Sequence, residues 1–163
     1  MTSVIRPAGI ALALALAGCS AEPAQQAPTP VETQAANVDP DSGLELIDVT
    51  VTTDEGSHTF VTEIAATPEQ QQRGMMFRNE MGADEGMLFP YDQAADRGFW
   101  MRNTFIPLDI IFIAEDGTII NIGEGEPYNE ESVRSEAPAI AVFEIPGGRS
   151  EELGIEPGDR VSW

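Results

Sequence analysis

The chain has 163 residues, 42% of them hydrophobic, and carries 28 acidic against 8 basic side chains, for a net charge of −20. Every basic residue is arginine, and a surface this acidic repels phosphate backbones and anionic lipid headgroups, which excludes nucleic acid as the expected partner. One cysteine and one histidine cannot build a standard zinc site or an intramolecular disulfide.

Residues 1–18 read as a targeting segment. Arg6 is the only charge before Glu22, and Ala8–Ala17 is an unbroken run of Ala, Gly, Ile and Leu. As a helix this run reaches only ~15 Å, short of a ~30 Å bilayer core, so a signal-peptide apolar region fits better than a transmembrane anchor. Leu16-Ala17-Gly18-Cys19 resembles the lipobox of bacterial lipoproteins, in which the cysteine is lipidated and becomes the mature N-terminus. The alternative is an ordinary signal peptide with Cys19 incidental. Ser20 after the cysteine, rather than Asp, resembles lipoproteins of the outer membrane facing the periplasm. Acyl chains on Cys19 would supply the membrane contact at ~0.8 kcal/mol per buried methylene. Residues 19–43, rich in Ala, Pro, Gln and Thr, lack periodic apolar residues and read as a disordered tether. Residues 44–163 then form one domain.

Within that domain, Leu44–Val51 and Thr59–Ala65 are β-branched, partly alternating runs around the turn residues Asp54–Ser57, which predicts an antiparallel pair. Thr67-Pro68-Glu69-Gln70 carries a capping-box pattern, predicting a short helix from Pro68 to about Gly74. Strands are expected at Gly86–Phe89, Gly98–Met101 and Leu108–Ala114, the last buried on both faces. Asp116-Gly117 predicts a hairpin turn into Thr118–Ile122. A further strand is expected at Ala139–Ile145, then a short helix at Ser150–Leu153 stopped by Gly154, and a final strand at Arg160–Trp163. The expected fold is mainly β: an antiparallel β-sandwich or a closed barrel, with two short helices.

Several blocks match one family in order. They are Arg73-Gly74-Met75-Met76-Phe77-Arg78, Gly86-Met87-Leu88-Phe89, Phe99-Trp100-Met101-Arg102-Asn103-Thr104, Ile106–Ile113 and Val142–Gly148 ahead of Gly158-Asp159. Over roughly residues 57–163 the chain resembles the domain-of-unknown-function 192 family. The resemblance implies a jelly-roll-like sandwich and an exported or membrane-attached protein, and it brings no catalytic or ligand residues. Arg102 stands where lysine is common in that family, exchanging a point charge for a planar fork.

The most informative stretch for a site is Trp100–Thr104. Alternation places Trp100, Arg102 and Thr104 on one face and Met101 and Asn103 on the other. With Asp109 nearby, these side chains would form an open polar groove with an aromatic floor, suited to a sugar ring or a peptide. Alternatively Trp100 and Met101 are core, Asn103 and Thr104 bond the backbone, and Asp109 pairs with Arg102. Asp109 interrupts an apolar strand and needs a partner, which Arg73, Arg78 or Arg102 would supply. Arg73 and Arg78 either bind an anion together or clamp the helix to acids such as Glu80 or Asp84. Met75, Met76, Phe77, Met81 and Met87 form a soft apolar group read as core or binding surface.

His58 has no nucleophile motif around it, no Ca²⁺-loop spacing occurs, and Gly123-x-Gly125 and Gly147-Gly148 lack the frame of a phosphate cradle. No metal, cofactor or catalytic residue is therefore expected. The reading is a lipid-anchored envelope protein, a non-catalytic binding module for a protein or glycan. The alternatives are a structural or assembly factor, or a hydrolase using Asp109 with a second carboxylate such as Asp159.

Overall fold

The computed structural model describes residues 37–163; the targeting segment, Cys19 and residues 20–36 of the expected tether lie outside the described residues. The alternating runs around Asp54–Ser57 form β1 (Leu46–Thr53) and β2 (Gly56–Ile64), antiparallel and in register from Leu46 opposite Glu63 to Thr53 opposite Gly56. Just before them, residues 37–43 fold back as a turn. Asp39 accepts from the amides of Asp41 and Ser42, and Val38 bridges to Glu45.

The helix α1 (Pro68–Arg73) carries the cap that its sequence encodes. The Thr67 hydroxyl accepts from the Gln70 amide, and the Gln70 side chain accepts from the Thr67 amide, so two otherwise free N–H groups are satisfied reciprocally. There follow β3 (Glu85–Ala95), β4 (Gly98–Phe99), β5 (Leu108–Ile113), β6 (Ile119–Gly125), β7 (Val133–Arg134), β8 (Ala139–Pro146), α2 (Arg149–Leu153) and β9 (Arg160–Ser162).

The fold is mainly β with two short helices, as expected. Two details of the expectation change. The main sheet is mixed: seven strands in the order β6-β5-β8-β3-β2-β1-β9, with β2 and β3 parallel. Residues 65–84, including α1, carry the chain back so that β3 starts beside Val61 of β2, and a crossover of that length is what a parallel neighbour needs. Nor is the sheet a closed barrel. Its edges are joined by the isolated bridge between Thr118 and Arg160 and by the Gly158 amide donating to the Ile119 carbonyl, not by a continuous ladder. The strands β4 and β7 form a separate two-stranded sheet.

Both faces of the main sheet are covered. Val51, Phe60, Leu88, Ile113, Ile119, Phe143 and Val161 share one cluster, drawn from both ends of the strand order, so the sheet curls around it. On the other face Met87, Phe89, Ile110, Phe112 and Val142 pack with Met75 and Met101 from loops and with Phe99 and Val133 from the small sheet. The strand β5 serves both clusters, which is why all six of its residues are buried.

Candidate functional site

Every second residue of β8 points to one face, so Val142 and Glu144 look toward the second cluster while Phe143 and Ile145 look into the first. Glu144 pairs in register with Met87 on β3 and Ile110 on β5, both fully buried. Its carboxylate is thus flanked by apolar neighbours, and the residue is only 4% exposed. The oxygen Oε2 has no hydrogen-bond partner among the described residues. Burial with no compensating charge pushes its pKa up from 4.5 to about 8.

Glu144 lines a cleft of about 340 Å³ between α1 and the chain around Trp100. The walls are Phe89, Tyr91, Phe99 and Trp100 on one side and Arg73, Met75 and Met76 on the other, with Thr104. Phe99 meets Phe89 edge-on at 4.9 Å between ring centroids, which fixes the inner wall. Tyr91 is covered by the guanidinium of Arg97, whose carbon lies 3.5 Å from the ring centroid. Burial raises the pKa of the Tyr91 hydroxyl, Arg97 opposes that rise, and the negative charge of Glu144 adds to it. Trp100, half exposed, stands in the wall, with Arg102 stacked 5.7 Å from its centroid.

The chain around Trp100 is not the strand its alternation suggests. The strand β4 ends at Phe99, and residues 101–104 turn, with the Thr104 amide donating to the Met101 carbonyl at 3.1 Å. Asn103 sits at φ 54°, a left-handed conformation that Asn tolerates better than most residues. Met101 and Thr104 are consequently buried, and Trp100 and Arg102 exposed. Among the described residues, the other non-glycine positions with positive φ are Phe77 at 68° and Tyr128 at 64°. Both bond to this same turn, the Phe77 amide to the Asn103 carbonyl at 2.8 Å and the Tyr128 amide to the Thr104 carbonyl at 3.1 Å. Backbone strain is therefore concentrated around the turn that follows Trp100.

Of the residues singled out in the sequence, Arg73, Trp100 and Thr104 meet in the cleft, and Arg102 caps Trp100. Asn103 contributes its backbone and lies 4.0 Å from the Met76 sulfur. Asp109 is not part of the cleft and, among the described residues, pairs with no arginine. Its two oxygens accept from the amides of Gly148 at 2.9 Å and Ser150 at 2.7 Å, closing the N-terminal end of α2. Gly148, the cap residue itself, has no side chain to do this. Arg78 pairs with neither Glu80 nor Asp84. It forms a bidentate bond to the buried Glu63, with distances of 2.6 and 2.5 Å. Glu63 faces the apolar cluster from β2, and that carboxylate draws Arg78 inward more strongly than solvated acids do. Arg73 and Arg78 do line a second, wider recess of about 860 Å³, together with Asp41, Glu69 and Glu80. These acids and the bond to Glu63 leave no paired anion site there.

Glu144 is the candidate site residue that alternation and motif did not single out, although its signal is present. Val142-Phe143-Glu144-Ile145 interrupts an apolar strand with a carboxylate, as Leu108-Asp109-Ile110 does.

These features define a class: a mixed-sheet β domain with an aromatic-walled cleft over a buried, unpartnered acid. The chain belongs to the DUF192 family, described as Uncharacterized ACR, whose model matches residues 49–163. It is similar to a protein of unknown function from Novosphingobium aromaticivorans DSM 12444, with 45% identity and a TM-score of 0.77 over 85% of this chain and 100% of that one. It is also similar to a Sinorhizobium meliloti 1021 protein described as a candidate transcription regulator, with 37% identity and a TM-score of 0.71 over 73% of this chain and 94% of that one. No curated protein matches the sequence.

Proposed function

We propose that this protein is a lipid-anchored module of the bacterial cell envelope, held at the outer membrane through Cys19, that binds a protein or glycan partner without catalysis. The seat is the cleft beside Trp100. One observation carries this reading: the Glu144 carboxylate is buried on the cleft wall with an oxygen that no group of the described residues satisfies. An unpaired buried carboxylate is costly, and a ligand group is a natural partner for one that opens onto a cleft. The strained turn after Trp100 supports the same reading, because such strain persists where the surrounding structure holds a site in shape.

The hydrolase alternative would use Asp109 with Asp159 or a Glu, and backbone amides engage both named aspartates. Both oxygens of Asp109 are engaged with α2, and Asp159 accepts from the Glu156 amide at 2.8 Å. A regulator of transcription is what the S. meliloti protein is described as, and a net charge of −20 opposes carrying a nucleic-acid partner over to this chain. An assembly role keeps one observation in its favour: Phe77 and Tyr128 are 55% and 64% exposed and flank Phe105 in an aromatic row.

The test is a thermal-shift panel of envelope glycans and peptides on the full chain. A ligand at ~100 times its Kd adds ~2.7 kcal/mol and raises Tm by several degrees. The shift should vanish in Trp100→Ala while that variant stays folded. A flat panel, combined with crosslinking to a neighbouring envelope protein through Phe77 or Tyr128, would replace the binding module with the assembly factor.

A further inference from the structure

We propose that the cleft beside Trp100 takes an organic ammonium group, paired with the Glu144 carboxylate and enclosed by the rings of Tyr91, Phe99 and Trp100. The proposal rests on the reading of this cleft as a ligand seat and adds the chemistry of what fills it.

The polar groups around Glu144 decide the class. Only Arg73 and Glu144 are charged among the residues lining the cleft, and Arg73 is exposed. The Gln71 amide is committed as a donor to the Pro90 carbonyl at 2.8 Å. The Thr104 hydroxyl donates to the Arg102 carbonyl at 3.4 Å. Glu144 Oε2 nonetheless has no hydrogen-bond partner among the described residues. An anionic ligand would meet the Glu144 carboxylate, with the exposed Arg73 as the one opposing charge among the lining residues. A cation gains that carboxylate together with the Phe99 ring and the faces of Tyr91 and Trp100 that Arg97 and Arg102 leave uncovered, the combination by which aromatic cages hold ammonium groups. The acidic surface of the whole chain raises the local concentration of cations on the way in.

The pairing is linked to protons. Glu144 is protonated over much of the neutral range, so an ammonium that binds must expel that proton to solvent, leaving the ion pair behind. The charged and titratable groups facing Glu144 from neighbouring elements are Tyr91 on β3, Arg97 over its ring, and Arg73 at the end of α1. On β2, Glu63 faces the same side and is closed by Arg78. The only histidine, His58, lies on β2 among the residues that alternate to the opposite face from Glu63.

The experiment follows Trp100 fluorescence in the full chain carrying Trp163→Phe. The probes are cyclohexylamine and cyclohexanol, matched in ring and differing in charge. The amine is expected to bind and the alcohol to fail. The amine's affinity should rise by about tenfold per unit between about pH 6 and about pH 8 and then level off. Glu144→Gln keeps the side-chain shape, and it should fold, lose at least about tenfold in amine affinity and lose the pH slope. Nα-Acetyl-lysine amide and glucosamine then separate a peptide source of the ammonium from an amino sugar. Equal binding of the alcohol, a flat pH profile, or full affinity in Glu144→Gln would overturn the ammonium assignment while leaving the cleft a seat for neutral ligands. Binding of neither probe overturns it as well, and the Trp100→Ala panel decides independently whether the cleft is a seat at all.

Discussion

Glu144 sets a stability signature that does not depend on any ligand. Below about pH 4.5 its carboxyl is protonated in folded and unfolded chains alike, so it contributes no pH dependence there. As pH rises, the unfolded chain releases this proton near 4.5, whereas the folded chain holds it until about 8. Across that window the folded state binds more protons, so stability falls with rising pH and levels off above the folded value. Glu144→Gln removes this slope. The variant should match the parent near pH 4 and exceed it near pH 8, by on the order of a few kcal/mol. Urea denaturation of both proteins across the window is the check, and parallel curves would mean that Glu144 is ionised in the folded protein. The acid is legible in the sequence as a charge inside an apolar strand. Its lack of a partner is not, because Met87 and Ile110 become its neighbours only when three strands are laid side by side.

At the scale of elements, Asp109 shows how one strand completes a helix it does not belong to. The helix α2 has five residues and a glycine cap, too little to satisfy its own first amides, and β5 lends it a carboxylate. Asp109→Ala should lower stability by roughly 2 kcal/mol and leave binding at the Trp100 cleft unchanged. Chemical denaturation with a parallel binding titration tests both halves, and lost binding in a stable variant would return Asp109 to the site. Packing between strands sets a second constraint. A Cβ on Gly86 would stand 2.5 Å from a ring carbon of Phe143 and 3.0 Å from the Glu144 carbonyl. Gly86→Ala should therefore cost about 1–3 kcal/mol through displacement of Phe143, measured as a fall in the denaturation midpoint. The helix α1, by contrast, is legible from its own residues, since Thr67, Pro68 and Gln70 cap it within a single turn.

For the whole molecule, charge and anchoring make one argument. A chain of −20 gains nothing from an anionic lipid surface, so membrane attachment falls to the proposed lipid on Cys19. Cys19→Ser should move the protein from the membrane pellet to the soluble fraction without altering its unfolding curve. Membrane retention of that variant would remove the lipid-anchor proposal and leave the cleft argument untouched.

The sequence by itself determined what neighbours along the chain decide. The capping box of α1, the hairpin around Asp54–Ser57, the Asp116-Gly117 turn and the αL stop at Gly154 all rest on contacts within a few residues, and the apolar run at Leu108–Ile113 announces its own burial by composition. Tertiary structure decided what depends on distant partners. It set β3 parallel to β2, broke the alternation of Trp100–Thr104 by bonding that turn to Phe77 and Tyr128, and sent Asp109 to amides 39 and 41 residues away. It also gave Arg78 to Glu63 and left Glu144 Oε2 with no partner among the described residues. Alternation and capping are properties of local backbone geometry, but the partner of a buried charge is fixed only when the sheet curls and its faces are filled.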